Sequence, residues 1–186
     1  MITGPSGAGK GTLIRALIER LPALEVAVSA TTRPQRPGEL NGREYWFLGE
    51  EQFAARVDAG ELLEHVEFAG GRYGTLASEI DRIAGRGGVC VLELEIEGAL
   101  RVQAAMASAV TIFIAADVEE LERRLRERAT ESSGEIEDRI RIARWQLEQA
   151  YRFRYCVRND EVERATVALS ALVETELARA ATMAAP

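Results

Sequence analysis

The sequence predicts an α/β protein with a three-layer core, in which helices cover a mainly parallel β-sheet. Short apolar runs alternate along the chain with amphipathic helical runs, the pattern of βα units. A glycine-rich segment lies between the first apolar run and the first helical run. Two stretches interrupt this alternation, and they predict a small inserted α+β lobe and a helical lid.

The elements follow from hydrophobic periodicity. Leu13, Leu17 and Leu21 share one face of the first helical run, and "GGVCVLELE" (87–95) has the continuous apolar character of a strand buried on both faces. The predicted strands are 1–3, 24–28, 87–95, 109–116 and 155–160. The predicted helices are 10–20, 76–86, 97–106, 117–128, 135–154 and 162–180.

The first interruption, residues 29–73, begins with the Pro-, Gly- and Arg-rich stretch "TTRPQRPGELNGREYWFL". "REYWFL" and "LLEHVEFA" then alternate like antiparallel strands, with a helix predicted between them at about 50–59. The second interruption, residues 126–139, is charged and poor in apolar residues. It is predicted to be a solvent-facing segment that joins two helices.

Composition excludes several classes of function. The chain has 186 residues, 47% of them hydrophobic, and a net charge of −7, which argues against a general nucleic-acid binder. No apolar run approaches the roughly 20 residues that span a membrane, and no leader precedes the first loop, so a cytoplasmic location is expected. Cys90 and Cys156 are predicted to be buried thiols, and with His65 as the one histidine a metal cluster is not expected.

The segment "GPSGAGKG" (4–11) is a phosphate-binding loop that departs from the usual pattern at one position. The pattern ends in Gly-Lys followed by Ser or Thr, but here Gly11 follows Lys10 and the hydroxyl comes at Thr12. Either Thr12 substitutes as a Mg²⁺ ligand, or nucleotide phosphates and waters hold the ion. The predicted phosphate-binding residues are Gly4, Pro5, Ser6, Gly7, Ala8, Gly9, Lys10, Gly11 and Thr12.

Together with this loop, "VSATTRPQRPGELNGREYWF" (28–47) resembles the guanylate kinase family of nucleoside monophosphate kinases. The resemblance continues in order through "GELLEHVEFAGGRYGT", "LELEIEGA", "LERRLRERATESSGEIEDRI" and "YCVRNDEVERA". It implies Mg²⁺-dependent phosphoryl transfer from ATP to GMP and dGMP. It also implies one domain with a core at 1–28, 74–123 and 140–186, a GMP-binding lobe at 29–73 and a lid at 124–139.

The resemblance assigns roles to single residues. For GMP, it implies that two arginines and two tyrosines hold the phosphate, that a carboxylate reads guanine N1–H and its amino group, and that two hydroxyls meet guanine O6. These residues are Arg33, Arg36, Tyr45 and Tyr73 for the phosphate, Glu64 for the donor edge, and Ser29 and Thr75 for O6. Glu93 is a further implied GMP contact.

For ATP, the resemblance implies Asn159 as a binding residue and Lys10, Arg33, Arg124, Arg128 and Arg139 as catalytic cations. Charge spreads over the phosphoryl group in transit, so cations stabilise the reaction and no protein nucleophile is needed. Thr12 and Glu95 are the implied metal ligands. Alternatively, "RRLRER" is an exposed helical face paired with Glu122 and Glu127.

Three positions depart from the family pattern. Glu95 stands where the family usually has Asp, Glu97 where it commonly has Gln, and Ala129 where the lid has Gly. Near the expected metal site, Glu95 is one methylene longer than Asp, and Glu97 adds a negative charge that Gln lacks. These departures affect metal use and rate more than the type of reaction.

Two other functions remain open at this stage. One is a P-loop kinase that acts on another phosphorylated substrate, such as ribose 1,5-bisphosphate. The other is a non-catalytic guanylate-kinase-like module that binds phosphopeptides, although such modules generally lack an intact ATP loop. The expected partners are ATP and GMP, with no nucleic acid or membrane, and the chain is expected to be a monomer or a homodimer.

Overall fold

The computed structural model describes residues 1–68, 70–128 and 133–184. Its strands are β1 (Ile2–Thr3), β2 (Leu24–Val26), β3 (Ser29–Thr31), β4 (Trp46–Phe47), β5 (Leu62–Phe68), β6 (Gly71–Leu76), β7 (Val89–Val91), β8 (Ile112–Ala115) and β9 (Tyr155–Arg158). Its helices are α1 (Lys10–Arg20), α2 (Glu50–Asp58), α3 (Ala77–Ala84), α4 (Ile96–Ala105), α5 (Val118–Arg128), α6 (Ser133–Glu148) and α7 (Val162–Ala184), with a 3₁₀ turn at Gln149–Arg152. The predicted α/β class is confirmed.

The chain forms two compact units, and the first contains Met1–Pro22 and Val110–Pro186. Its sheet is parallel in the order β1-β8-β9, with Ile2 opposite Ile112 and Ile112 opposite Tyr155. Helix α1 packs against α7, and α5 packs against α6. The leucines that predicted α1 are fully buried at Leu13 and Leu17, so the predicted apolar face is the one that packs.

The second unit, Ala23–Ala109, contains two sheets. Strands β2 and β7 pair in parallel, and a four-stranded sheet has the order β4-β3-β6-β5. "LLEHVEFA" forms the predicted strand β5, and its antiparallel partner is β6, a strand that was not predicted. The prediction for "REYWFL" was wrong, because β4 pairs with β3 in parallel. The connection at 32–45 is long enough for the crossover of a dozen or more residues that parallel pairing needs.

The charged stretch 126–139 joins two helices, as predicted: α5 ends at Arg128 and α6 begins at Ser133, two residues before its predicted start. Residues 129–132, including Ala129, lie outside the described residues. The prediction for one cysteine needs correction. Cys156 is exposed rather than buried, since it alternates on β9 with the buried Val157 and so faces the opposite side of the sheet. In the described part of the chain, no helix combines the length and apolarity needed to cross a membrane.

Candidate functional site

The glycine-rich loop connects β1 to the first turn of α1. Gly4 has φ 146°, and a side-chain carbon there would lie 2.2 Å from the Ile114 carbonyl oxygen. Gly9 precedes α1 with φ 83°, in the left-handed region. These conformations turn the loop over the start of the helix, where backbone N–H groups and the helix dipole favour a bound anion.

Lys10 folds back over this loop. Its Nζ donates hydrogen bonds to the carbonyl oxygens of Gly4 at 2.6 Å and Pro5 at 3.3 Å. Gly11 and Thr12 follow in the first turn of α1, where both are exposed. The ammonium group of Lys10 therefore lies against the loop, as the sequence predicts.

Three more predicted residues reach the loop from α5, α6 and the end of β9. Arg124 donates to the Gly7 carbonyl at 3.2 Å, and Arg139 donates to the Ser6 hydroxyl at 3.3 Å. The buried Asn159 donates its amide to the Ala8 carbonyl at 2.7 Å. The structure therefore gathers the predicted ATP-binding groups around residues 4–12. The side chain of Arg128 lies outside the described residues.

Arginines of "RRLRER" do pair with a carboxylate of their own helix, but the partner is Glu120 and not Glu122. Arg124 binds Glu120 at 2.6 Å as well as the loop. Hydrogen bonds from Arg123 and Arg124 lower the pKa of Glu120 to about 2. Glu122 binds Arg144 instead, and the side chain of Glu127 lies outside the described residues. Arg124 consequently joins the exposed charge network of α5 to the phosphate-binding loop.

The loop glycines differ sharply in the space around them, which gives a matched pair of variants. Gly4→Ala is expected to lower the free energy of unfolding by at least about 1–3 kcal/mol, because alanine is strained at this φ and meets backbone. Gly11→Ala should instead raise it by about 0.5–1 kcal/mol, since Gly11 is helical with open space around it. Thermal unfolding of both ligand-free variants checks the order. Equal melting temperatures would contradict the loop conformation described.

The second cluster lies in the Ala23–Ala109 unit, around Arg33. The Arg33 guanidinium donates to both carboxylate oxygens of Glu39, at 2.8 and 3.0 Å. The backbone N–H of Arg36 donates to the same carboxylate at 2.8 Å, while the Arg36 residue is exposed. The hydrogen bond from Arg33 is the largest cause that lowers the pKa of Glu39. An anion thus already sits against the predicted phosphate-binding arginines.

Aromatic rings line the same cluster. Arg33 lies over the Tyr45 ring at 5.3 Å, and the ring centres of Tyr45 and Tyr73 are 6.0 Å apart. Burial raises the pKa of Tyr45, and the charges of Tyr73 and Glu93 raise it further. Tyr45 therefore remains a protonated donor at neutral pH. The structure brings Arg33, Tyr45, Tyr73 and Glu93 together, as expected.

Glu64 is a buried carboxylate of this unit. It is 5% exposed on β5, and its Oε1 accepts a hydrogen bond from the Thr75 hydroxyl at 2.9 Å. Strand pairing places Thr75 opposite both Glu64 and Ser29, so one residue of β6 links the three predicted base-reading positions. The sequence predicted these residues through the family resemblance and did not predict the Thr75–Glu64 bond.

Burial raises the pKa of Glu64, and the Thr75 bonds and the Arg101 charge only partly oppose it. A carboxyl whose pKa is higher in the folded state stabilises the fold below its unfolded pKa, and this contribution is lost as pH rises through the folded pKa. Ligand-free Glu64→Gln is therefore expected to melt at a higher temperature than wild type at pH 7. The difference should shrink as pH falls through the raised folded-state pKa of Glu64 and should vanish below the ordinary carboxyl pKa.

Thermal melts of ligand-free protein between pH 4 and 7.5 check this expectation. Glu67→Gln, on the exposed part of the same strand, is the matched control and should leave the melting temperature unchanged. A Glu64→Gln variant that is less stable than wild type at neutral pH would contradict the assigned burial of the carboxylate.

Comparison with known proteins decides the family. A family model described as guanylate kinase matches residues 1–176. The chain belongs to the guanylate kinase family. The guanylate kinase of Synechococcus elongatus is 42% identical over 174 residues, covering 93% of this chain and 95% of its own. That of Desulfitobacterium hafniense is 39% identical over 180 residues, covering 96% and 90%.

Solved structures agree with this assignment. The crystal structure of guanylate kinase from Anaplasma phagocytophilum has a TM-score of 0.74 and 25% identity, covering 94% of this chain and 83% of its own. A shikimate kinase from Bacteroides thetaiotaomicron, at 20% identity and a TM-score of 0.51, covers 93% and 96% and shares the fold alone. The predicted enzyme class, a guanylate kinase, is confirmed.

Mg²⁺ takes oxygen ligands, and each of the two predicted donor residues carries one. Thr12 offers a hydroxyl in the first turn of α1, and the half-buried Glu95 offers a carboxylate at the residue that precedes α4. Mg²⁺ usually keeps several waters and binds one or two protein groups plus phosphates. Among the described residues, no group of three or more His, Cys, Asp or Glu could form an all-protein metal site.

Proposed function

We propose that this protein transfers the γ-phosphoryl group of ATP to GMP and dGMP, which yields ADP with GDP or dGDP. The observation that carries the proposal is the buried Glu64 carboxylate, which accepts a hydrogen bond from Thr75. It lies in the same compact unit as Arg33 and the groups around it. This pairing offers a charged acceptor for a base and a cationic site for a phosphate. Family membership supports the same reaction.

ATP binds through the glycine-rich loop in this proposal. Backbone N–H groups of the loop hold its phosphates, and Lys10, Arg124 and Arg139 bring three positive charges to the loop. Arg128 is proposed as a fourth. Since charge spreads over the phosphoryl oxygens during transfer, these fixed cations stabilise the transition state more than the bound substrate. Asn159 completes the ATP site at the end of β9.

GMP binds in the second unit. Arg33 and Arg36 neutralise its phosphate, and Tyr45 and Tyr73 donate hydroxyl hydrogens without adding charge.

The base is read by other residues of the same unit. Glu64 accepts from guanine N1–H and the amino group, donors that adenine does not present together. Thr75 gives its one hydroxyl hydrogen to Glu64, so Ser29 is the proposed donor to O6 unless Thr75 turns towards it. Glu93 is the further proposed GMP contact.

Transfer then needs no covalent intermediate with the protein. An oxygen of the GMP phosphate attacks the γ-phosphorus of ATP, ADP leaves, and Lys10 and the arginines neutralise the moving charge. Mg²⁺, proposed to be held by Thr12 and Glu95, supplies charge neutralisation on the phosphate oxygens when bound.

Each larger segment of the chain also has a proposed role. Residues 29–73 form the GMP-binding lobe and 124–139 the lid over ATP, on a core of 1–28, 74–123 and 140–186. The enzyme acts in the cytoplasm, as a monomer or a homodimer, with free nucleotides as its partners.

A panel of acceptors tests the proposal. ADP formation from ATP and Mg²⁺ is measured with GMP, dGMP, AMP, UMP and ribose 1,5-bisphosphate. GMP and dGMP are expected to support turnover well above the other three. Higher turnover with ribose 1,5-bisphosphate than with GMP would overturn the proposal. A folded protein that binds phosphopeptides and forms no ADP with any acceptor would overturn it as well.

A further inference from the structure

Helix α4 has no side chain at the point where it meets Glu64. A side-chain carbon at Gly98 would lie 2.4 Å from Glu64 Oε2 and 3.1 Å from its carboxyl carbon. Side-chain carbons do not approach other heavy atoms to less than 3.0 Å. The Glu64 carboxylate therefore occupies space that any residue other than glycine at position 98 would take.

The two carboxylate oxygens of Glu64 are held from two sides. Thr75 on β6 donates to Oε1 at 2.9 Å, while Oε2 lies against the α4 backbone at Gly98. Glu64 is 5% and Thr75 1% exposed, so neither can move freely into solvent. The direction of the carboxylate is set jointly by a hydrogen bond and by a gap in a helix surface.

Arg101 lies one turn after Gly98 on α4, the helix that packs against β5. Its guanidinium donates to the carbonyl of His65, the residue next to Glu64. Its charge also opposes the effect of burial on the pKa of Glu64. One face of α4 thus provides both room for the carboxylate and a nearby charge that favours its ionised form.

We propose that Gly98 is a specificity-determining residue: its missing side chain sets where the Glu64 carboxylate sits and so selects a nucleobase with two adjacent N–H donors. This inference rests on the proposed function. Gly98 acts through Glu64 and is a positioning residue, whereas Glu64 is the group that touches the base.

Gly98→Ala tests this directly. The atom that must give way is the end of a flexible side chain, and alanine favours a helix, so the fold should be kept. A displaced, buried acceptor no longer meets its donors, so KM for GMP should rise by about tenfold or more and selectivity for GMP over AMP should fall. KM for ATP should stay within about twofold, since the ATP site does not depend on Glu64.

The matched control is Gly49→Ala in the same unit. Gly49 has φ −70°, and an added carbon would make only an ordinary contact, at 3.8 Å from Gln52. Its kinetics should equal those of wild type. A Gly98→Ala variant with the KM for GMP and the selectivity of Gly49→Ala would overturn the inference.

A double-mutant cycle separates positioning from a general structural effect. Glu64→Asp removes one methylene and moves the carboxyl carbon to the Cγ position, 3.7 Å rather than 3.1 Å from a carbon at position 98. Gly98→Ala should therefore change the KM for GMP by less than about twofold in the Glu64→Asp background, whereas independent effects would multiply. If Gly98→Ala alone does not fold, recovery of the fold in the double variant supports the contact, and an equally unfolded double variant overturns it.

Wild-type turnover with GMP is measured first in the same series. If wild type does not phosphorylate GMP, the proposed function fails. If wild type does so and Gly98→Ala behaves as wild type, only the inference about Gly98 fails.

Discussion

Replacement of Lys10 by alanine is expected to reduce turnover by about 100-fold or more, the typical effect of losing one electrostatic donor at a transition state. Lys10 Nζ donates to the loop carbonyls of Gly4 and Pro5 and is part-buried, so the core packing of α1 through Leu13 and Leu17 does not depend on it. Steady-state kinetics and a thermal melt measure both parts of the expectation.

Arg15→Ala is the control, because Arg15 is an exposed cation on the same helix. It should retain full turnover. Lys10 is also the one lysine of the chain, so amine-directed labelling followed by mass spectrometry reports on it cleanly. ATP should protect Lys10 from labelling. Near-normal turnover of Lys10→Ala, or labelling unaffected by ATP, would mean that the loop is not the ATP site.

Glu64→Gln is expected to reduce selectivity for GMP over AMP by about 1–3 kcal/mol, the cost of a buried polar group left unsatisfied. Glutamine has the size of glutamate, and its amide oxygen can still accept from Thr75. Its NH₂ group, however, would face a guanine edge that also donates, so donor would meet donor. The ratio of kcat/KM for the two nucleotides gives the selectivity.

Glu67→Gln is again the control, since it makes the same chemical change at an exposed position of β5. It should leave the ratio unchanged. An unchanged ratio in Glu64→Gln as well would show that guanine is read elsewhere. The higher stability expected of ligand-free Glu64→Gln at neutral pH means that loss of selectivity cannot be attributed to unfolding.

The phosphate-binding loop and α1 could be predicted from sequence because their determinants are contiguous. The glycines that require positive φ, the lysine and the leucine face of α1 all lie within residues 4–21, so local rules suffice. The helix at Glu50–Asp58 and the strand β5 follow from similarly local patterns.

Contacts between distant segments could not be predicted in this way. The parallel pairing of β4 with β3 depends on how the connection at 32–45 crosses, and strand periodicity does not contain that information. The gap at Gly98 exists only because α4 packs on β5.

Glu39 was also missed as part of the cationic cluster. It follows the "TRPQRPG" stretch directly, so the sequence did carry a signal for an acidic partner close to Arg33. The sequence alone does not say whether Glu39 pairs with Arg33 or faces solvent, because that depends on the turn that brings the two side chains together.

One phosphoryl group is expected to pass directly from ATP to GMP. The protein is incubated with Mg²⁺, GMP and ATP labelled at the γ-phosphate, and the products are identified. GDP should carry the label on its β-phosphate and should form one-for-one with ADP. Label released as inorganic phosphate, with GMP unchanged, would rule out direct transfer.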